Sequence, residues 1–158
     1  MDYSDIIVPR GNSKAAVKAR ERIIHDYYQE WRRNHAEQRL FNIDLKDYIN
    51  IRQISMIETM EHASKSYLST LAVLQLDAIL TYSKKVRETP KDKNSKNQEK
   101  FDRIILMEYT CPGIGMVKLT VGVMRRTRDK IQYCITSIDP ETRKAPQKDA
   151  RLCPGNTQ

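Results

Sequence analysis

Residues 101–138 form the only long stretch in which apolar and polar residues alternate clearly, and this pattern constrains the fold more than any other feature. A period of two is typical of β-strands, because successive side chains point to opposite faces of a sheet. The pattern predicts three consecutive strands, at 103–109, 116–124 and 130–138. Pro112 and Gly113 supply the turn after the first strand. Three antiparallel strands with one apolar face need a cover, so we expect the upstream segments to provide helices.

The first predicted helix runs from about Lys14 to His35, with Asn12 or Ser13 as its N-cap. Its apolar residues recur at helical spacing and form one stripe: Val17, Ile23, Ile24, Tyr27, Tyr28 and Trp31. Charged residues of both signs occupy the other face. The stripe indicates a helix whose main role is packing.

Two further helices are predicted before residue 83. Ser55 and Glu58 have the spacing of a capping box, so a helix should follow to about Tyr67. A more apolar and more buried helix is expected from Leu71 to Tyr82. Residues 40–51 fit either a strand or a helical turn, and we interpret them as a connection with a short helical turn. Residues 83–88 can add an edge strand.

The predicted fold class is therefore α+β, with N-terminal helices packed on one face of a small antiparallel sheet, a β-meander in the C-terminal half. Residues 12–139 form a single domain. A flexible N-terminal arm, 1–11, precedes it and a disordered tail, 140–158, follows it. Residues 89–100 are polar and rich in lysine, which predicts a mobile surface loop.

Charge and composition restrict the partners. The chain has 28 Lys and Arg against 20 Asp and Glu, a formal net charge of +8, which predicts an anionic partner such as nucleic acid. The alternative is a surface whose cations only favour solubility. No apolar run approaches the length of a membrane span, so no membrane partner is expected. The N-terminus lacks signal-peptide features and the three cysteines are widely spaced, which predicts a reducing cytoplasm.

No phosphate-binding glycine loop, zinc pattern or nucleophile elbow is present, so neither a metal nor a cofactor is expected. Acid–base chemistry near neutral pH would fall to a histidine, and His62 is the best candidate. Glu58 lies four residues before it and Ser66 four after, which places all three on one helix face, with Lys65 beside them. A carboxylate beside an imidazole raises its basicity and orients it. The alternative is a solvated helix face with ordinary i,i+4 pairs.

The sheet offers a second set of candidates on the face opposite its aliphatic residues: Lys118, Thr120, Gln132 and Thr136. Basic residues cluster in and after the turn that follows: Arg125, Arg126, Arg128 and Lys130. Cations stabilise developing negative charge and hydroxyl groups position phosphates. Tyr109 and Tyr133 could stack on bases. The alternative is that these polar residues are the ordinary solvent side of a sheet and that the tyrosines belong to the core.

The order of these parts resembles the barnase/RelE-type (BECR-like) ribonuclease fold: a helix with a histidine, an apolar helix, a loop and a small antiparallel sheet. The similarity is more specifically to nuclease-like domains of phage and conjugative mobile-element proteins and covers roughly residues 52–139. The segments that carry it are Ser55, Glu58-Thr59, His62-Ala63-Ser64, residues 76–80, residues 117–123 and residues 132–136.

This resemblance implies metal-independent RNA cleavage, by attack of the ribose 2′-hydroxyl on the adjacent phosphate. His62 would be the general acid or base, Lys118 or Arg125 would stabilise charge, and Thr136 would contact the phosphate. The expected partner is RNA, bound also through the cluster that follows the second strand and through Tyr133. Two alternatives remain open: an accessory protein that binds nucleic acid through a basic sheet edge and loops without cleaving it, and a protein that acts only on a protein partner.

Overall fold

The computed structural model describes residues 6–90 and 100–139, with side chains up to residue 130. Most of the predicted mobile loop, 91–99, and the predicted tail, 140–158, lie outside the described residues. The elements in chain order are α1 (Lys14–Asn34), β1 (Arg39–Asn42), β2 (Asp47–Asn50), α2 (Gln53–Ala63), α3 (Tyr67–Val73), α4 (Leu76–Tyr82), β3 (Lys84–Pro90), β4 (Phe101–Cys111), β5 (Gly115–Met124) and β6 (Lys130–Asp139). The predicted α+β class is confirmed.

The strands form a six-stranded sheet in the order β1-β2-β6-β5-β4-β3. β4, β5 and β6 are the antiparallel meander that the alternation predicted, and β3 extends it as the edge strand expected at residues 83–88. β1 and β2 form an antiparallel hairpin. The hairpin joins the meander through a parallel pairing, Ile49 with Lys130 and Asn50 with Ile131. β6 therefore lies inside the sheet, between β2 and β5.

The hairpin corrects the interpretation of residues 40–51 as a connection with a helical turn. Its position depends on Asn42, which is fully buried. The Asn42 Nδ2 atom donates to the carbonyl oxygens of Leu80, at 2.8 Å, and Ser83, at 3.0 Å. Its Oδ1 atom accepts from the backbone N–H of Leu45 at 2.8 Å. Because an unpaired buried amide is costly, these bonds fix the hairpin against the end of α4.

The helices cover one face of the sheet, as predicted. The inward residues of β4 and β5 are buried in the main core: Ile105, Met107, Val117, Leu119, Val121 and Val123. They meet the inward faces of the helices, represented by Ile24, Trp31, Met56, Ala63, Leu76 and Leu80. Alternation along the strands sends the intervening residues, such as Lys118, to the opposite face, which we call the solvent face of the sheet.

α1 agrees closely with its predicted range. Ser13 is the N-cap, and its hydroxyl accepts from the backbone N–H of Ala16 at 3.1 Å. Arg32 and Arg33 lie in the last turn, where cations favour the helix dipole. The buried stripe differs slightly from the predicted one and includes a charged residue: Ala16, Arg20, Ile24, Tyr28 and Trp31.

Arg20 explains the position of the N-terminal segment. Its side chain is fully buried, and Nε donates to the carbonyl oxygen of Ser64 at 2.7 Å. Its Nη1 atom donates to the carbonyl oxygen of Pro9 at 2.8 Å, and Val8 is buried nearby in the chain. The described part of the predicted flexible arm, residues 6–11, is thus held against α1 and the end of α2.

Several helix boundaries differ from the prediction, and α2 ends at Ala63, before the predicted end near Tyr67. α2 has Arg52 at its N-cap with no side-chain cap, and Ser55 is buried within the helix, so the predicted capping box is wrong. In place of the predicted helix from residue 71 to 82 there are two short helices, the first of which begins earlier, at Tyr67, and the break between them lies at residues 74–75. Ser66 caps the first of them: its Oγ accepts from the backbone N–H of Ser69 at 3.3 Å.

Candidate functional site

His62 lies in the last turn of α2, with its side chain in solvent. The inward residues of this helix are Met56, Thr59 and Ala63, so His62 lies on the outer side of the helical layer. Within the described residues, no hydrogen bond or ion pair joins His62 to Glu58. The geometry therefore corresponds to the solvated helix face that the sequence left open as the alternative.

The predicted supporting residues do not assemble around His62. Because α2 ends at Ala63, Ser66 is not on the helix of His62, and its hydroxyl is engaged in capping α3. Lys65 is exposed in the turn between the two helices. The structure thus separates residues that a continuous helix to residue 67 would have placed on one face.

Lys118 is on the other side of the sheet from His62. Its neighbours in β5, Val117 and Leu119, are buried in the core that α2 also lines, so alternation directs Lys118 to the solvent face. A group that transfers a proton must be within hydrogen-bond reach of the reacting atom. The sheet lies between these two side chains and does not bring them to one cleft. The side chains of the remaining candidates on β6, Tyr133 and Thr136, lie outside the described residues.

Among the basic residues predicted to bind nucleic acid, Lys130 and Arg128 form ion pairs. Lys130 is mostly buried, and its Nζ atom donates to Oδ2 of Asp47 at 2.7 Å. This hydrogen bond holds the pKa of the Asp47 carboxyl below its usual range. Arg128 adopts a left-handed backbone conformation (φ 64°) and pairs with Asp102. Arg125 and Arg126 are exposed in the same turn.

The solvent face carries basic residues that sequence reasoning only partly identified. Register places Lys84 and Lys118 on either side of Glu108, and Arg87 beside Leu106 and Thr120 in the next row. We call Lys84, Arg87 and Lys118 the basic face. All three are exposed, and none of them makes an ion pair with another described residue. Regular alternation would put Lys84 and Arg87 on opposite faces of β3, and a bulge between Lys85 and Arg87 brings them to the same face.

On the helix side of the same edge, two cations share one carboxylate as their partner. Glu88 accepts a hydrogen bond from Nε of Arg103 at 2.9 Å, and Lys85 Nζ lies 3.6 Å from the same carboxylate oxygen. The bond from Arg103 lowers the pKa of Glu88. Excess positive charge at the β3 edge is therefore concentrated on the solvent face.

A small apolar cluster continues this face towards the start of β4: Phe101, Ile104, Leu106 and Met124. Phe101 lies directly over Gly122, where a Cβ atom would be 2.5 Å from the ring. Tyr109, considered as a surface for base stacking, packs instead against the main core, and burial raises its pKa. The alternative interpretation of Tyr109 as a core residue fits the structure.

Three further titratable side chains, His35, Asp77 and Cys111, have structural roles. The His35 ring stacks on Trp31, with centroids 4.3 Å apart, and its Nδ1 atom is 2.9 Å from the Trp31 carbonyl oxygen. The Trp31 Nε1 atom donates to Oδ1 of Asp77 at 2.6 Å, which joins the end of α1 to the start of α4. Cys111 is a buried free thiol whose pKa is raised by burial, so little of it would be the nucleophilic thiolate.

Comparison with known proteins adds no family to this description. No protein-family model matches the chain, and no curated protein or solved structure shows significant similarity to it. Among the residues that the structure describes, no helix is long and apolar enough to cross a membrane. The same residues contain no group of three or more His, Cys, Asp or Glu side chains able to hold a metal ion. Fold and site define an α+β protein with a helix-covered sheet and a basic solvent face.

Proposed function

We propose that this protein is a nucleic-acid-binding module that uses the solvent face of its sheet as the contact surface. The observation that carries the proposal is the basic face, where Lys84, Arg87 and Lys118 converge from two strands around a single acidic residue. The formal net charge of +8 favours association with a polyanion. When protein cations neutralise phosphates, the counterions condensed on the nucleic acid are released, and this release favours binding.

Binding without cleavage is the function that the geometry supports best. His62 is on the helical side and Lys118 is on the solvent face, so the two side chains cannot act on the same reacting group of a substrate. Lysine and arginine on an open sheet need no such convergence to bind phosphates, because the interaction is electrostatic and acts over several ångströms. The ribonuclease activity implied by the family resemblance stays a prediction, and the experiment below includes a readout for it.

The test compares two triple variants with the same change in charge. One changes the basic face, Lys84→Gln/Arg87→Gln/Lys118→Gln. The matched control changes three exposed cations of α1, on the helical side: Lys14→Gln/Lys18→Gln/Arg22→Gln. Affinity for a labelled single-stranded RNA is measured by fluorescence anisotropy as a function of salt. Each lost phosphate contact lowers the magnitude of the slope of log affinity against log salt by about 0.7 for single strands. Because three cations are removed, the slope of the basic-face variant should be smaller in magnitude by about 2.

The control variant should keep a slope close to that of the unsubstituted protein. Equal losses in the two variants, or a protein that does not bind RNA at all, would contradict the proposal. The same RNA is recovered on a denaturing gel and should be intact. Cleavage that disappears in His62→Ala would support the ribonuclease hypothesis instead.

A further inference from the structure

A second feature of the solvent face is an exposed aromatic pair at the opposite edge of the sheet. Phe41 and Tyr48 are cross-strand partners in the β1–β2 hairpin, and their rings meet edge to face with centroids 5.4 Å apart. They are 45% and 41% exposed. The Arg39 guanidinium lies over the Tyr48 ring, 4.0 Å from its centroid. We call Arg39, Phe41 and Tyr48 the aromatic platform.

The aromatic platform and the basic face are on the same side of the sheet. In the hairpin, Leu40 and Ile49 point into the main core, so alternation directs Phe41 and Tyr48 to the solvent face. β1 and β3 are the two edges, separated by five steps in the strand order. At about 4.8 Å a step, the width of the sheet is roughly 24 Å. The registers place Tyr48 about level with Met124, whereas Lys118 lies six residues earlier on β5, so a path between the two surfaces runs diagonally across the strands.

The chemistry of the platform differs from that of the basic face. Aromatic rings stack on the π-faces of nucleobases whatever the base. The guanidinium that lies over Tyr48 also pairs with Glu37, at 3.4 Å, so the rings rather than Arg39 carry the difference from the basic face. In a duplex these π-faces are covered by neighbouring base pairs. A surface that combines exposed rings with dispersed cations therefore fits an unpaired strand, whose bases and phosphates are both accessible.

We infer that the aromatic platform stacks unpaired bases and that the ligand of the sheet is single-stranded nucleic acid, an inference that rests on the proposed binding function. Phosphates engage the basic face while one or two bases lie on Phe41 and Tyr48. The +8 net charge supports a nucleic acid rather than an apolar protein segment as the occupant of these exposed rings.

The test uses three probes of equal length: a single-stranded oligonucleotide, the same strand annealed to its complement, and a single strand with abasic sites throughout. The abasic strand keeps the phosphates and removes the bases. The platform variant is Phe41→Ile/Tyr48→Ile, which keeps apolar β-branched residues in the hairpin but removes the rings. The control is Tyr82→Leu, an exposed aromatic residue at the end of α4.

The unsubstituted protein should bind the intact single strand more tightly than the duplex or the abasic strand. The platform variant should lose roughly 5- to 150-fold in affinity for the intact strand for each stacked base, and nothing for the abasic strand. Tyr82→Leu should change neither value. Circular dichroism and thermal melting confirm that each variant is folded.

The possible failures differ in what they overturn. Equal affinity of the unsubstituted protein for intact and abasic strands overturns the stacking inference but leaves the binding function. Equal losses of the platform variant on both strands also overturn it, because the substitution would then act on phosphate binding. No binding of any probe overturns the inference together with the proposed function.

Discussion

Gly122 lies at a point of β5 where the structure leaves no room for a side chain. The Phe101 ring covers its Cα from the solvent face, and Phe101 is itself 1% exposed. An aromatic ring across a glycine on a neighbouring strand replaces the side-chain packing that the glycine lacks. Alternation along β5 places Gly122 on the face of Lys118, but local sequence holds no sign of the residue that covers it.

Gly122→Ala should therefore lower the free energy of unfolding by about 1–3 kcal/mol, the usual effect of overpacking a filled site. Urea denaturation of the single variants and of the double variant with Phe101→Ala measures it. In the Phe101→Ala background the same substitution should be nearly neutral, because the ring that it meets is absent. A cost that is equal in both backgrounds would show that the ring is not the cause.

Single residues also show where sequence reasoning works. Ser13 and Lys118 were placed correctly, because an N-cap and a strand alternation depend on near neighbours in the chain. Ser55 was misplaced as a cap, although its spacing to Glu58 fits the motif. α2 begins earlier, at Gln53, and local spacing cannot reveal where packing starts a helix.

Among the elements, β2 and β6 depend on each other most directly. Their parallel pairing is short, and the Asp47–Lys130 ion pair links the two strands across it. The predicted role of Lys130 in binding nucleic acid would compete with this contact, because its amine is mostly buried and already neutralised. The link makes the junction of hairpin and meander sensitive to acid.

The pKa of Asp47 is lowered in the folded protein, chiefly by the hydrogen bond from Lys130. The stability that the pair contributes is therefore complete above the unfolded-state pKa near 3.8 and is lost as pH falls through the lower folded-state value. Asp47→Asn should cost at most about 1 kcal/mol at neutral pH, because Asp47 is partly exposed. The difference should shrink below about pH 4.

Unfolding by urea across this pH range measures the effect. In a Lys130→Met background, the difference caused by Asp47→Asn should depend much less on pH, since the main hydrogen-bond donor is gone and only the Tyr48 backbone N–H and the Arg39 charge still lower the pKa of Asp47. A difference that stays constant from neutral pH to pH 3, or that grows on acidification, would contradict the assignment.

The hairpin shows why elements with distant partners were not predicted. β1 and β2 have four residues each, too few for a clear periodic pattern. Asn42, which fixes their position, bonds to carbonyl groups about 40 residues away. The long β4 and β5 strands, in contrast, repeat their pattern often enough to be predicted.

At the scale of the whole molecule, Arg20 joins three parts of the chain: the N-terminal segment, α1 and the end of α2. Within the described residues, its Nη2 atom has no hydrogen-bond partner. The Arg20 side chain therefore satisfies two carbonyl groups, but its own cation is removed from water. Replacing it loses the two hydrogen bonds, which destabilises the protein, and removes the desolvation penalty of the cation, which stabilises it.

Arg20→Met should leave the Pro9 and Ser64 carbonyl oxygens without donors, for a net loss of about 1–3 kcal/mol in the free energy of unfolding. Residues 6–10 should also lose protection in hydrogen exchange and be cleaved sooner by a protease. Arg22→Met, at an exposed position of the same helix, is the control and should change neither property. Unaltered protection of residues 6–10 in Arg20→Met would contradict this role.

The overall architecture was predictable in part. Composition and periodicity were sufficient for the α+β class, for helices on one face and for the meander. The candidate site was harder to predict from the sequence, because it depends on which faces the helices and strands present to each other. Sequence spacing grouped His62 with Glu58 and Ser66. In the structure, the end of α2 at Ala63 separates His62 from Ser66, and the sheet lies between His62 and Lys118.

The central position of β6 has a consequence for how the protein is made. Synthesis proceeds from the N-terminus, so the hairpin leaves the ribosome some 80 residues before the strand that connects it to the meander. Until residues 130–139 emerge, β2 and β5 each keep an open side with unpaired backbone groups. The nascent chain therefore passes through a stage at which most of its residues have been synthesised but its sheet is still in two separate parts. A stalled or truncated chain would expose two strand edges whose unpaired backbone groups can pair with other chains.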